Sequence, residues 1–137
     1  RLPAPIRPIV GDIEKTLKAQ PIDTNTYVVI VTRGHNHDEQ ALHAVIDSSA
    51  KYIGMIGSRR KVKLIFDDLL ALGIDPAKLS RVNAPIGLPI GAVTVPEIAV
   101  SILAQLVQVR RADKPTRVEG PFTSGETPSP VRSAREG

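Results

Sequence analysis

The 137-residue chain has no cysteine and no tryptophan, and its other aromatics are only Tyr27, Tyr52, Phe66 and Phe122. Without cysteine there is no disulfide, no thiolate metal site and no cysteine nucleophile. So few aromatics offer no stacking platform for bases, and the charge excess is mild, with 18 Lys and Arg against 14 Asp and Glu. Neither feature favours nucleic acid as a partner. No apolar run approaches the ~18–20 residues of a membrane span, and the opening RLPAPIRPIV is not a signal peptide. The fingerprints G-x-G-x-x-G, G-x-x-x-x-G-K-[ST] and G-x-S-x-G are all missing, so the chain carries neither a standard phosphate-cradling turn nor a nucleophile elbow. Its length allows one domain. The first residue is Arg, not Met, and a cytoplasmic piece of a longer protein is expected.

What is present is an alternation of strand and helix patterns. Residues 8–10, Tyr27–Val31 and Tyr52–Ile56 are apolar runs suited to parallel strands; the second is continuously apolar and β-branched after Tyr27, which predicts a strand covered on both faces. Between and after them come helical patterns. One covers residues 12–19 with Asp12 as N-cap, and a second covers 38–47. A third spans 58–72, between an N-capping Ser58 and a stop at Gly73. The Pro- and Gly-rich stretch 80–91 predicts irregular chain. Thr94–Glu97 is a capping box opening a helix over 95–110, whose Ile98, Ala99, Ile102, Leu103, Leu106 and Val109 form a stripe suited to packing across the sheet. Beyond Arg111, four prolines and no apolar period predict disorder over 112–137. The fold class is α/β, an open parallel sheet with helices on both faces.

Ligands of such sheets bind beyond the carboxyl ends of the strands. Three loops there carry polar or charged residues: Gly11-Asp12 after the first expected strand, and two more heavily loaded ones, Thr32, Arg33, Gly34, His35, His37 and Asp38 after the second and Gly57, Ser58, Arg59, Arg60 and Lys61 after the third. Helices normally carry acids in their first turn. Here Arg59, Arg60, Lys61 and Lys63 crowd the positive end, each costing ~0.3–1 kcal/mol unless neutralised. A phosphate or pyrophosphate on the free N–H groups of that turn would neutralise them; a solvated cationic face is the alternative.

The run His35-Asn36-His37-Asp38 is close to the T-H-x-H-x-D-H pattern of two-metal hydrolases, but the register fails. With His35 and His37 as the first pair, Glu39 and Gln40 stand where Asp and His are needed; with His35 as the second histidine, Arg33 stands where the first belongs. The expectation is therefore no metal, with His35 and His37 hydrogen-bonding the loop, capping the next helix or touching a ligand. Ser58 is accounted for as an N-cap, and no catalytic residue is assigned.

Three stretches, YVVIVTRGHNHD (27–38), YIGMIGSRRK (52–61) and APIGLPIGAVTVPEIAVSILA (84–104), resemble the C-terminal Rossmann-like domain of the XdhC family, accessory proteins of xanthine dehydrogenase and related molybdenum hydroxylases. The likeness extends over about residues 8–108, with Gln105 where the family usually shows an acid. It implies a chaperone, not an enzyme. Such a protein binds molybdenum cofactor (a phosphate-bearing pterin, often in dinucleotide form), assists its sulfuration and delivers it to the apo-enzyme. It further implies a cysteine desulfurase and the apo molybdenum hydroxylase as partners, a homodimer in the full-length protein, and cofactor contacts from the two more heavily loaded loops. The family's first strand, its glycine-rich turn and its cysteine-bearing N-terminal domain would precede Arg1, making residues 1–111 a partial domain with an unpaired sheet edge. The competing reading is an NAD(P)-dependent oxidoreductase, which fold analogy alone supports.

Overall fold

The computed structural model describes residues 6–112. Residues up to Leu106 form one compact unit, and Val107 begins a second, of which the described part, 107–112, continues the last helix. The expected disordered tail lies otherwise outside the described residues. The element order is α1 (Ile13–Lys18), β1 (Tyr27–Ile30), α2 (His35–Val45), β2 (Tyr52–Met55), α3 (Arg59–Ala71), α4 (Pro76–Leu79) and α5 (Val95–Ala112).

β1 and β2 pair in parallel with Tyr27 opposite Tyr52 and Ile30 opposite Met55, and α2 is the crossover between them. On the other edge of β2 runs a segment that the sequence does not betray as sheet. Asn83 N–H donates to Ile53 O (2.9 Å), Met55 N–H to Asn83 O (3.0 Å) and Ile86 N–H to Met55 O (3.0 Å), with a parallel bridge between Gly54 and Asn83. Pro85 has no N–H to give, so the pairing stays rudimentary.

This corrects two expectations. Residues 8–10 form no strand; they are exposed and irregular. The strand covered on both faces is β2, all four of whose residues are buried, and not β1, where Val29 is 40% exposed. Both follow from position, because β2 has backbone partners on either side whereas β1 has one only on the β2 side among the described residues.

The alternation of β2 divides the structure. Ile53 and Met55 join the core built by Leu42, Val45 and Ile46 around α2 and by Val62, Ile65 and Leu69 of α3. Tyr52 and Gly54 face the other way, where Tyr52 stacks near Tyr27 (6.1 Å between centroids) and meets Gln105 of α5. Helices thus lie on both faces. α5 covers only part of the expected stripe, leaving Ile98, Ile102, Leu106 and Val109 half-buried. Ala99 is exposed and Leu103 is 61% exposed, and the one fully buried residue of the helix is Ser101. Polar ties to the 87–88 loop set its rotation, as described below.

Candidate functional site

The start of α3 is built as its sequence predicts. Ser58 caps it, its Oγ accepting from Lys61 N–H at 3.2 Å. α2 begins at His35, three residues before the predicted boundary, with Gly34 as its N-cap and no side-chain capping bond. His35, His37 and Asp38 therefore stand in the first turn of a helix and not in a loop.

Asp38 is the one fully buried charged residue among those described. Thr32 Oγ1 donates to its Oδ1, and Lys61 Nζ forms an ion pair with its Oδ2. The loops after β1 and β2 are thereby clamped together across the ends of α2 and α3. Lys61 is accordingly the counter-ion of Asp38, not a free member of the cationic group. Lys63 pairs with Asp67 at 2.9 Å. Arg59 and Arg60 remain exposed at the helix start with no ion-pair partner among the described residues.

A cleft of about 360 Å³ opens at the carboxyl end of β2. One side is Ile56, Gly57 and Arg59; the other is the 85–92 loop, with Ile98 and Ser101 of α5 closing the base. The loop is fixed by backbone and amide bonds. Gln105 Oε1 accepts from Tyr52 Oη–H (2.6 Å) and from Gly87 N–H (2.9 Å), and Leu88 N–H donates to Ser101 O (3.1 Å). Gly87 has φ +100°, and a Cβ there would run into Ser101 Oγ, so this wall of the cleft requires glycine. Burial of Tyr52 pushes its phenol up to about 12. At the rear of the cleft wall the capping box of α5 is formed, with Glu97 Oε1 accepting from Val93 and Thr94 N–H. These backbone bonds hold the Glu97 carboxyl below its ordinary range.

Of the residues singled out by sequence, only Gly57 and Arg59 line this cleft. Ser58 caps the helix, and Thr32, Asp38 and Lys61 form the clamp. Arg33, Gly34, His37 and Arg60 are exposed. His35 turns instead to two acids that sequence reasoning passed over. Its Nε2 lies 3.1 Å from Glu39 Oε1 and 3.0 Å from Asp68 Oδ2. The Asp68 bond is the main cause holding the imidazole above its usual range. Burial foremost raises Glu39, and the hydrogen bond from Glu39 foremost lowers Asp68. The His35–Glu39 spacing of four was a legible signal on a helix; Asp68, 33 residues on, was not. Gln105, Tyr52 and the 85–92 wall were also missed, although the repeated Gly of PIGLPIG marks close backbone approach.

A cleft beyond parallel strand ends, beside a helix N-terminus, is the ligand position of Rossmann-like α/β domains, and that is the class which fold and site define. The chain belongs to the XdhC Rossmann domain family, matching it over residues 4–106. It is 37% identical over 94 residues to the uncharacterized protein YqeB of Escherichia coli (strain K12), covering 69% of this chain and 17% of that protein. It is 32% identical over 83 residues to a probable xanthine dehydrogenase component of Bacillus subtilis (strain 168), with 61% and 23% covered. To the molybdenum cofactor insertion chaperone PaoD of E. coli it is 30% identical over 101 residues (74% and 32% covered). The crystal structure of a xanthine dehydrogenase from Bacillus halodurans superposes with a TM-score of 0.63 at 29% identity, over 82% of this chain and 31% of that one. The chain thus spans about a third or less of the length of each of these relatives. No described helix is long and apolar enough to cross a membrane.

Proposed function

We propose that this domain binds molybdenum cofactor in the cleft at the end of β2 and serves its delivery to an apo molybdenum hydroxylase in the cytoplasm, as a chaperone and not a catalyst. The observation carrying this reading is the pairing of that cleft with Arg59 and the neighbouring Arg60, cations without ion-pair partners among the described residues at the positive end of a 13-residue helix. Similarity to a molybdenum cofactor insertion chaperone over 74% of the chain supports the choice of ligand. The donor set fits the group. Free N–H groups at the start of α3 with Arg59 and Arg60 suit a phosphate, and a cleft of about 360 Å³ with apolar Ile56 and Ile98 suits a flat heterocycle. Thr32, Asp38 and Lys61 act by holding the two loops in register; Arg33, Gly34 and His37 lie on the same end of the sheet as secondary contacts, whereas His35 is turned to Glu39 and Asp68. A cysteine desulfurase as sulfur source and a homodimer in the longer protein belong to the same reading.

Reversal of Arg59 and Arg60 to Glu tests it. Retention of the pterin by the protein, followed through its fluorescence after gel filtration, should fall by ~10-fold or more, since each charged hydrogen bond contributes ~1.5–3 kcal/mol. The same variant should melt at a higher temperature, because acids suit that end of the helix. Unchanged retention at low salt refutes the proposal.

A further inference from the structure

We infer that His35, Glu39 and Asp68 form a binding site for a zinc-like divalent cation joining α2 to α3, distinct from the cofactor cleft and independent of its ligand. The side chains come from two packed helices: His35 and Glu39 are one turn apart on α2, and Asp68 stands in the last two turns of α3. Each offers one donor atom, and the three donors lie within 4.8 Å of one another.

The distances suit coordination as well as the hydrogen bonds described above. Metal–ligand bonds of ~2.0–2.2 Å place neighbouring donors ~3.0–3.5 Å apart in octahedral or tetrahedral geometry. His35 Nε2 is 3.1 Å from Glu39 Oε1 and 3.0 Å from Asp68 Oδ2, so both of these edges are already at coordination length. The two carboxylates would repel each other unless a cation or a proton lies between them, and a dication cancels both charges. One imidazole with two carboxylates selects borderline ions such as Zn²⁺; magnesium and calcium prefer all-oxygen sets. The donors are half-exposed at most on α2, with side chains 35% and 26% accessible for His35 and Glu39 and 52% for Asp68. The open side leaves room for water or an external ligand to complete the shell. Sequence spacing pointed away from this arrangement because it paired His35 with His37, which belongs to no such group among the described residues.

The test is titration of the full chain with Zn²⁺ after chelator treatment, read by calorimetry and by thermal melting, with Co²⁺ absorption as a report on coordination. The expected result is one ion per chain at micromolar affinity and a melting temperature that rises with metal. Affinity should fall ~10–100-fold in His35→Ala, Glu39→Gln and Asp68→Asn but stay unchanged in His37→Ala and His43→Ala. Each variant melts in chelator beside the parent chain, and Asp68→Asn, isosteric and exposed, keeps the test valid should a helix-start variant misfold. Absence of stoichiometric binding below ~1 mM, equal loss in His37→Ala, or binding indifferent to Asp68→Asn would each overturn the inference, as would tighter binding of Mg²⁺ than of Zn²⁺.

Discussion

Gln105 joins three parts of the structure through a single amide, and replacing it should cost more than its half-buried position suggests. Its Oε1 accepts from Tyr52 Oη–H at 2.6 Å and from Gly87 N–H at 2.9 Å, while Nε2 reaches Gly87 O only at 3.4 Å. Gln105→Leu keeps the volume but leaves two donors without an acceptor. Tyr52 is 1% exposed, so water cannot replace the lost bond there. At ~1–3 kcal/mol for each orphaned buried group, the loss should be ~2–6 kcal/mol, a large share of a domain stability of ~5–15 kcal/mol. Tyr52→Phe removes one donor and leaves Oε1 still bonded to Gly87, costing ~1 kcal/mol. Gln105→Leu in the Tyr52→Phe background should then cost ~1 kcal/mol or more less than in the parent chain. Gln105→Glu retains a charged oxygen for both donors but turns its second oxygen toward Gly87 O and half-buries a charge, so it should fall between the parent and Gln105→Leu. Urea denaturation followed by circular dichroism at neutral pH measures all four. A Gln105→Leu chain as stable as the parent, or a Gln105→Glu chain as damaged as Gln105→Leu, would refute the assignment of the oxygen as the working atom.

Three further outcomes follow from the same geometry. Lys61→Met should destabilise by ~3–5 kcal/mol, because it strands the fully buried Asp38 carboxylate with only the Thr32 hydroxyl; Asp38→Asn should cost less, since the Lys61 side chain is 26% exposed and can turn to water. Equal urea midpoints for the two variants would argue against a buried clamp. Gly54→Ala should lower the melting temperature strongly, a Cβ there standing 2.5 Å from Tyr52 Oη and 2.6 Å from Ile86 Cδ1; a melting curve superimposable on that of the parent would contradict the close packing. The Glu97 carboxyl is depressed by backbone N–H donors at Thr94 and Val93, so its contribution is present above its ordinary value of 4.5 and is lost as pH falls through the lower folded value. Glu97→Gln should therefore flatten the acid limb of the stability–pH profile, and an unaltered limb would remove the capping box as its cause.

Local rules accounted for much of this fold, and they failed where partners came from far along the chain. The Asp12 and Ser58 caps, the stop at Gly73 and the Thr94–Glu97 box were all legible, because each joins residues within a turn of one another. The third line of the sheet was not, since 83–86 pairs with β2 through only a few backbone bonds and contains a proline. The same limit governed the site. Crowded cations at the start of α3 were visible, yet nothing local says that Lys61 is consumed by Asp38, 23 positions earlier. The apolar stripe of α5 misled at Ala99 and Leu103 because rotation of that helix is set by the Ser101 backbone carbonyl and the Gln105 side chain, which apolar periodicity does not register. Their bonds outweigh a buried leucine in choosing the face: Leu103 stays in water where ~2 kcal/mol of burial was available, whereas turning the helix to cover it would orphan Tyr52 Oη–H, Gly87 N–H and Leu88 N–H together at ~1–3 kcal/mol each. A helix beside a polar loop takes its orientation from the donors it must satisfy. Position 105 therefore needs an acceptor for Tyr52 Oη–H and Gly87 N–H, and a hydrophobic residue there would open the wall of the cleft.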